Sequence, residues 1–345
     1  MWNEKYGNDW KQQKDRLFER KEFDSIPQLL AELLHLKSKG FYFRGQSDAR
    51  YRVTSSIQRA WHKGEAWRKQ RADLLFPDFS KDLVGFARNT LLAKHSRHHL
   101  MDHEIWAYLQ HQYCPTPFID FSIDPFTALH FATNHASTSD GYCSVYAMYP
   151  EEYAENGSER NDFFFLEDFL ESALRKENEV RQTTGIRPYC RSIRFVREAQ
   201  FEYWGYLDKR DYDDGLDYVP FTPKNGVAFL VVKDFKKWCR KLVCERMKLQ
   251  KGLFVYSPIE DESLECFISR KQQKINPKGE TGDLVYPPMK CFDIPANLVE
   301  EARRVVKGEG ISDAALGLDP NPDERAVKAM YGEYLNRLVS SAKNP

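Results

Sequence analysis

Glycine-rich phosphate loops are missing from this 345-residue chain: neither Gly-x-Gly-x-x-Gly nor a Walker loop occurs. Doubly wound nucleotide-binding folds lose their usual phosphate cradle, which removes most dehydrogenase and kinase readings. Net charge is missing too. Lys+Arg and Asp+Glu both number 51, so nothing draws the whole molecule to nucleic acid or acidic membranes, and an anionic ligand must be held by a local cluster. The seven cysteines (114, 143, 190, 239, 244, 266, 291) are odd in number and never in a C-x-x-C arrangement. Neither a disulfide framework nor a zinc ribbon is suggested, and reduced thiols are expected. The first ten residues contain no apolar h-region, and no segment approaches 18 uninterrupted apolar residues. A cytoplasmic protein with no membrane association is therefore expected.

What is present suffices for a substantial core, at 41% hydrophobic residues. Residues 1 to 23 are polar and charged with single aromatics, which predicts a loosely packed N-terminal arm over 1–24. Ser25 as cap, Pro27 in the first turn and Leu29, Leu30, Leu33, Leu34 and Leu36 predict a helix up to Gly40, followed by a strand at 41–44. Further helices are predicted at Leu83–Lys94, Ile105–Gln112, Phe126–Asn134, Phe163–Leu174, Asp234–Arg246, Ala296–Lys307 and Pro322–Leu338. Strands are predicted at Phe118–Phe121, Tyr142–Tyr149, Val227–Val232, Leu253–Ser257, Leu264–Ser269 and Met289–Ile294. Without regular β-α-β alternation this is an α+β fold, a mixed or antiparallel central sheet flanked by helices. The main domain spans 25–332 with an insertion at about 151–225, and 333–345 is the last helix end and tail.

Two stretches concentrate chemistry. In Phe41-Tyr-Phe-Arg-Gly-Gln46, an arginine follows three aromatics and needs a partner, because a guanidinium is never deprotonated. Gly45 permits close approach of another group. In the second stretch Asp120 lies within an apolar run and needs a buried partner such as Arg44, while Ser122 sits at a strand-to-helix turn where backbone N–H groups favour an anion. Asp124 reads as the cap of the helix that Pro125 starts. Gln110 and His111 end the preceding helix and could reach the same strand end, although a histidine there can equally serve as a dipole-compatible cap. His130 reads as a satisfied core histidine. His95, His98, His99, His103 and Glu104 lack the order of a zincin and read as a solvated basic turn, so no metal is expected. Cys114 with His111 has no orienting third residue for nucleophilic chemistry.

These residues resemble the FRG family, named for a Phe-Arg-Gly motif, here Phe43-Arg44-Gly45. The second motif resembles Gln110-His111, Pro115-Thr116, Asp120 and Pro125 with Ala128-Leu129 and Phe131-Ala132; a third is Gln250-Lys-Gly-Leu-Phe254. Gly310-Ile311 through Leu318-Asp319-Pro320 is similar to the family's C-terminal end. The chain departs from the pattern at Pro117, where the family usually has arginine, and at His111-Gln112-Tyr113, where it favours a His-aromatic-Gly sequence. The motif order is also similar to that of ADP-ribosyltransferases. That resemblance implies an ADP-ribosyltransferase-like core using NAD as substrate, with Arg44, Ser122 and Gln250 as catalytic residues and Gly45, Gln46, His111, Thr116 and Asp120 as ligand-binding ones. It implies a bacterial toxin or antiviral defence effector, a protein or nucleic-acid acceptor, and an antitoxin or other partner protein. A carboxylate would come from Glu245 or Glu265, since Gln250 carries no charge. The alternatives are a non-catalytic sensor of a nucleotide-like ligand and a nucleic-acid-binding protein.

Overall fold

Six strands form one open mixed sheet in the computed structural model, which describes residues 3–63, 82–91, 102–150, 182, 201–203, 221–223, 245–257, 259–275, 288–318 and 322–340. The strands are β1 (Phe18–Glu22), β2 (Tyr42–Gln46), β3 (Phe118–Ser122), β4 (Tyr142–Met148), β5 (Phe201–Tyr203), β6 (Phe221–Pro223), β7 (Gly252–Tyr256) and β8 (Met289–Pro295). Six of them form the sheet in the order β1-β8-β4-β2-β3-β7, parallel at β1–β8 and antiparallel elsewhere; β5 and β6 pair with each other. The helices are α1 (Trp10–Leu17), α2 (Ile26–Ser38), α3 (Ser56–Lys63), α4 (Asp102–His111), α5 (Pro125–Thr133), α6 (Glu245–Leu249), α7 (Leu264–Ile275), α8 (Ala296–Gly308) and α9 (Pro322–Ser340), with a π-helical turn at Ala87–Leu91. The α+β mixed sheet agrees with the pattern of the sequence.

Period-two alternation divides the strands between two faces. On one face Phe43, Val145, Ala147 and Phe292 meet α2, α5 and α8 through Leu29, Leu33, Ala128, Leu129 and Val299. On the other, Tyr146, Met148 and Cys291 are covered by Tyr6, Phe18 and the Leu264, Phe267 and Ile268 side of α7. A third cluster joins α3, α4 and α9 through Trp61, Trp106, Leu109 and Tyr331. Helix α5 lies directly on β2: a Cβ on Gly45 would sit 1.9 Å from the Ala128 carbonyl oxygen and 2.5 Å from the Ala132 nitrogen. Glycine is the residue that lets these two backbones touch.

Two expectations fail. The stretch expected as strand Leu264–Ser269 is the start of α7, because its buried Leu264, Phe267 and Ile268 follow helical i, i+3, i+4 spacing rather than alternation. The segment expected as a loosely packed arm instead supplies α1 and the sheet strand β1. Its anchor is a charge network. Lys14 is fully buried and its Nζ donates to Asp293 Oδ1 at 2.6 Å, Ser144 Oγ at 2.9 Å and the Ala49 carbonyl at 3.3 Å. Arg20 Nε donates to Asp293 Oδ2 at 2.5 Å. Burial alone would raise the Asp293 carboxyl, but Lys14, Ser144 and Arg20 hold it below the usual carboxylate range. The Leu83 segment is helical over 82–91, and its expected end at Lys94 lies outside the described residues. The expected Phe163–Leu174 helix, the Val227–Val232 strand, most of Asp234–Arg246 and the His95–His99 turn lie outside the described residues.

Replacing Asp293 by Asn leaves the buried Lys14 without a counter-charge and Arg20 with Asp15 and Glu22, and is expected to cost about 3–5 kcal/mol in denaturant unfolding at neutral pH. Because the folded carboxyl is depressed, its contribution is fully present above the unfolded value near 4. The gap between wild type and D293N should therefore narrow only as the pH falls below about 4. A methyl at Gly45 (Gly45→Ala) has backbone atoms in its way and is expected to destabilise by about 1–3 kcal/mol or more, read as a lowered melting temperature.

Candidate ligand-binding cleft

Strand β2 pairs with β4 over its whole length and β3 with β7 over its whole length, yet β2 and β3 meet only at Phe43–Ser122. Beyond that pair the strands part, and a cleft of about 540 Å³ lies there, lined from β2 by Arg44, Gly45 and Gln46 and from β3 by Asp120 and Ser122. Gln110 and His111 from the end of α4 and Gln250 before β7 also reach it. The residues expected around one site are thus brought together, with one exception. Thr116 is fully buried and is not among the lining residues. Its Oγ1 hydroxyl donates to Gln110 Oε1, so it orients Gln110 rather than facing a ligand.

Arg44 spans the gap. Its Nη1 donates to the Asp120 carbonyl oxygen at 2.7 Å, standing in for the ladder bond the parted strands do not make. The expected Arg44–Asp120 pairing therefore runs through the backbone, and the carboxylate is left for other partners. Asp120 Oδ2 accepts from Gln110 Nε2 at 2.6 Å, and the side chain is open to the cleft. Asp120 sits deep in the protein, which pushes its carboxyl above the ordinary value against the pull of Arg44, Gln110 and Arg59. Burial likewise works against the charge of Arg44, while Asp120 supports it. The guanidinium stays charged.

Ser122 is buried and its hydroxyl is occupied: Oγ donates to the Gln250 carbonyl at 2.8 Å and accepts from the Asp124 amide at 3.0 Å. It fastens the end of β3 to the turn before β7. Gln250 is held from its other end, Nε2 donating to the Leu316 carbonyl at 3.2 Å. Asp124 occupies the cap position of α5 but makes no side-chain cap; Lys37 at 3.2 Å and Lys251 at 3.0 Å take its carboxylate. Those lysines lower its pKa against the opposing effect of burial.

His111 is almost fully buried, with its ring tilted on Phe254 at 5.7 Å. Burial, and then the charge of Arg246, depress its pKa to about 3, so the imidazole is neutral. A Cys114–His111 pair has no nucleophilic capacity, since burial pushes the Cys114 thiol up to about 12 and the sulfur faces the Gln112 carbonyl at 3.7 Å. His130 is satisfied by Asp313 at 2.8 Å.

Arg246 lines the cleft without any motif to announce it. It donates to the Gly317 carbonyl at 2.6 Å, to the His111 carbonyl and to Glu324 at 2.7 Å, and lies 4.5 Å over the Tyr113 ring. The side chain ties α4, α9 and the turn before α9 into one wall. Its partners are far away in sequence, so only its chemistry as a multidentate donor could have hinted at this use.

Of the two carboxylates expected to serve the site, Glu265 is excluded. It is fully buried on the far face, accepting from the Tyr6 hydroxyl at 2.6 Å and the Val53 amide at 3.2 Å. The Glu245 side chain lies outside the described residues. Among the described residues Asp120 is the carboxylate that lines the cleft. Also among them, no group of three or more His, Cys, Asp and Glu side chains could hold a metal ion, and no helix is long and apolar enough to cross a membrane.

Among the described residues, three buried polar atoms of residues that line the cleft have no partner: Arg44 Nε, Gln46 Oε1 and His111 Nε2. Each such atom costs on the order of 1–3 kcal/mol, more for a charged group, a cost commonly kept where a ligand supplies the missing bond. No curated protein and no solved structure matches this chain. Residues 39–141 match the family model of the FRG domain, a span that includes Arg44, Gln110, Asp120 and Ser122.

Proposed function

We propose that the cleft binds NAD or a related nucleotide and that the chain is an ADP-ribosyltransferase-like enzyme, acting as a transferase or as an NAD glycohydrolase. The observation that carries this reading is the meeting of Arg44, Asp120 and Gln250 on one cleft at the parting of β2 and β3. In such a reaction the bond from the ribose anomeric carbon to the pyridinium nitrogen breaks. Its electron pair leaves with neutral nicotinamide, and positive charge develops on the ribose ring. A carboxylate close to that charge lowers the barrier, and Asp120 supplies one. Water or an acceptor then attacks the anomeric carbon and loses a proton. Arg44 holds and orients the ligand, Gln250 offers an amide to a ribose hydroxyl, and Ser122 keeps Gln250 in place through its carbonyl. Gly45 lets α5 close one side of the site.

A second reading, a sensor that binds the same ligand without turning it over, is favoured by the uncharged Gln250 and by the occupied Ser122 hydroxyl.

Incubation with NAD separates the two, with free nicotinamide as the readout. Release by the wild-type protein that falls about 100- to 1000-fold in Arg44→Ala or Asp120→Asn, with folding retained, is expected. Binding without release would favour the sensor, and absence of binding would sink both. Asp120 must be ionised to act, and its pKa is raised, so activity should fall with decreasing pH at higher pH than an ordinary carboxyl near 3.9 would dictate. A pH profile with no acidic limb would contradict the assignment of Asp120.

A further inference from the structure

We infer that Gln46, together with Arg44, recognises a primary carboxamide at the β2 wall of the cleft; this rests on the nucleotide reading above and names the group that sets ligand choice. Arg44 and Gln46 are two residues apart on β2, opposite Tyr146 and Ser144 of β4, so their side chains leave the sheet on the same side. Among the described residues the Arg44 guanidinium makes one hydrogen bond, through Nη1, and its Nε is buried without a partner. Gln46 is fixed in one orientation, because its Nε2 donates to the Arg52 carbonyl at 3.2 Å and a carbonyl can be served only by the amide's NH₂. The atom left buried and unpartnered is therefore the acceptor, Oε1.

The wall thus offers unused donors beside an unused acceptor. At this wall a phosphate fits poorly, since it would satisfy Arg44 while facing the lone pairs of Gln46 Oε1 beside the Asp120 carboxylate; the other cations of the lining, Arg246 and Lys328, stand on α6 and α9. A primary carboxamide fits both, its oxygen accepting from Arg44 and its NH₂ donating to Gln46. Within NAD that group is the carboxamide of the nicotinamide ring. Gln46 is in this account a specificity-determining residue.

The test compares binding of NAD and of its analogue in which a methyl ketone replaces the carboxamide, which keeps the acceptor oxygen and loses only the NH₂ donor. Titration calorimetry on the full chain is expected to give NAD an advantage of about tenfold. Gln46→Met, which removes the acceptor together with the donor to the Arg52 carbonyl, should bring the two ligands within about twofold. The melting temperature of the variant identifies any loss of fold, and the wild-type comparison of the two ligands carries the test if the Met variant does not fold. Equal binding of the two ligands by the wild type overturns the carboxamide assignment and leaves the nucleotide reading standing. So does an advantage that survives in Gln46→Met. Binding of neither ligand removes the nucleotide reading itself and this assignment with it.

Discussion

The sheet is held together across its middle by one residue pair, Phe43–Ser122, and the site exists because the pairing stops there. Had β2 and β3 stayed in register, their backbone groups would have closed on each other and left no cleft. Parted strands leave backbone donors and acceptors without ladder partners, which is unfavourable unless something else serves them. Arg44 serves the Asp120 carbonyl with its guanidinium, and Ser122 serves the turn before β7. The side chains that stabilise the opening are thus the same ones that line it.

Such an opening requires rigid surroundings. Helix α5 sits on β2 at backbone contact, which only Gly45 allows, and so fixes one side of the cleft. Arg246 fixes another by gathering two carbonyls and a carboxylate. Farther off, the buried Lys14–Asp293–Arg20 cluster binds the N-terminal segment into the sheet beside β4 and β8. Removing two charges from water is expensive, and the arrangement is tolerable because Asp293 accepts from Lys14, Arg20 and Ser144 together.

Within the cleft, electrostatics separates the roles of chemically similar groups. Asp120 is deep yet open to the cleft and carries a raised pKa, whereas Asp124, a turn away, is held ionised by two lysines and is spent on structure. His111 is uncharged because burial and Arg246 forbid a second positive charge. Among the described residues the cleft therefore presents the cations Arg44, Arg246 and Lys328, the Asp120 carboxylate and neutral amide groups, a mixture suited to a ligand that is itself part polar and part charged.

Much of this was legible in the order of residues. Helix α2 with Pro27, strand β3, the Asp124-Pro125 start of α5 and strands β4, β7 and β8 follow from periodicity and local turn chemistry, because those forces act between neighbours. The juxtaposition of Arg44, Ser122 and Gln250 was suggested by motif, and all three line one cleft. Other features depend on partners far along the chain. Lys14 looks like one more exposed lysine until Asp293, 279 residues away, is brought against it. Thr116 looks like a ligand donor until Gln110 takes its hydroxyl, Glu265 like a site acid until Tyr6 covers it, and Arg246 like any helical arginine. The chain by itself determined its elements and the chemical types in its motifs. Tertiary structure alone decided which polar groups are spent on one another and which are left for a ligand, since hydrogen-bonding capacity is consumed by whatever the fold brings within reach.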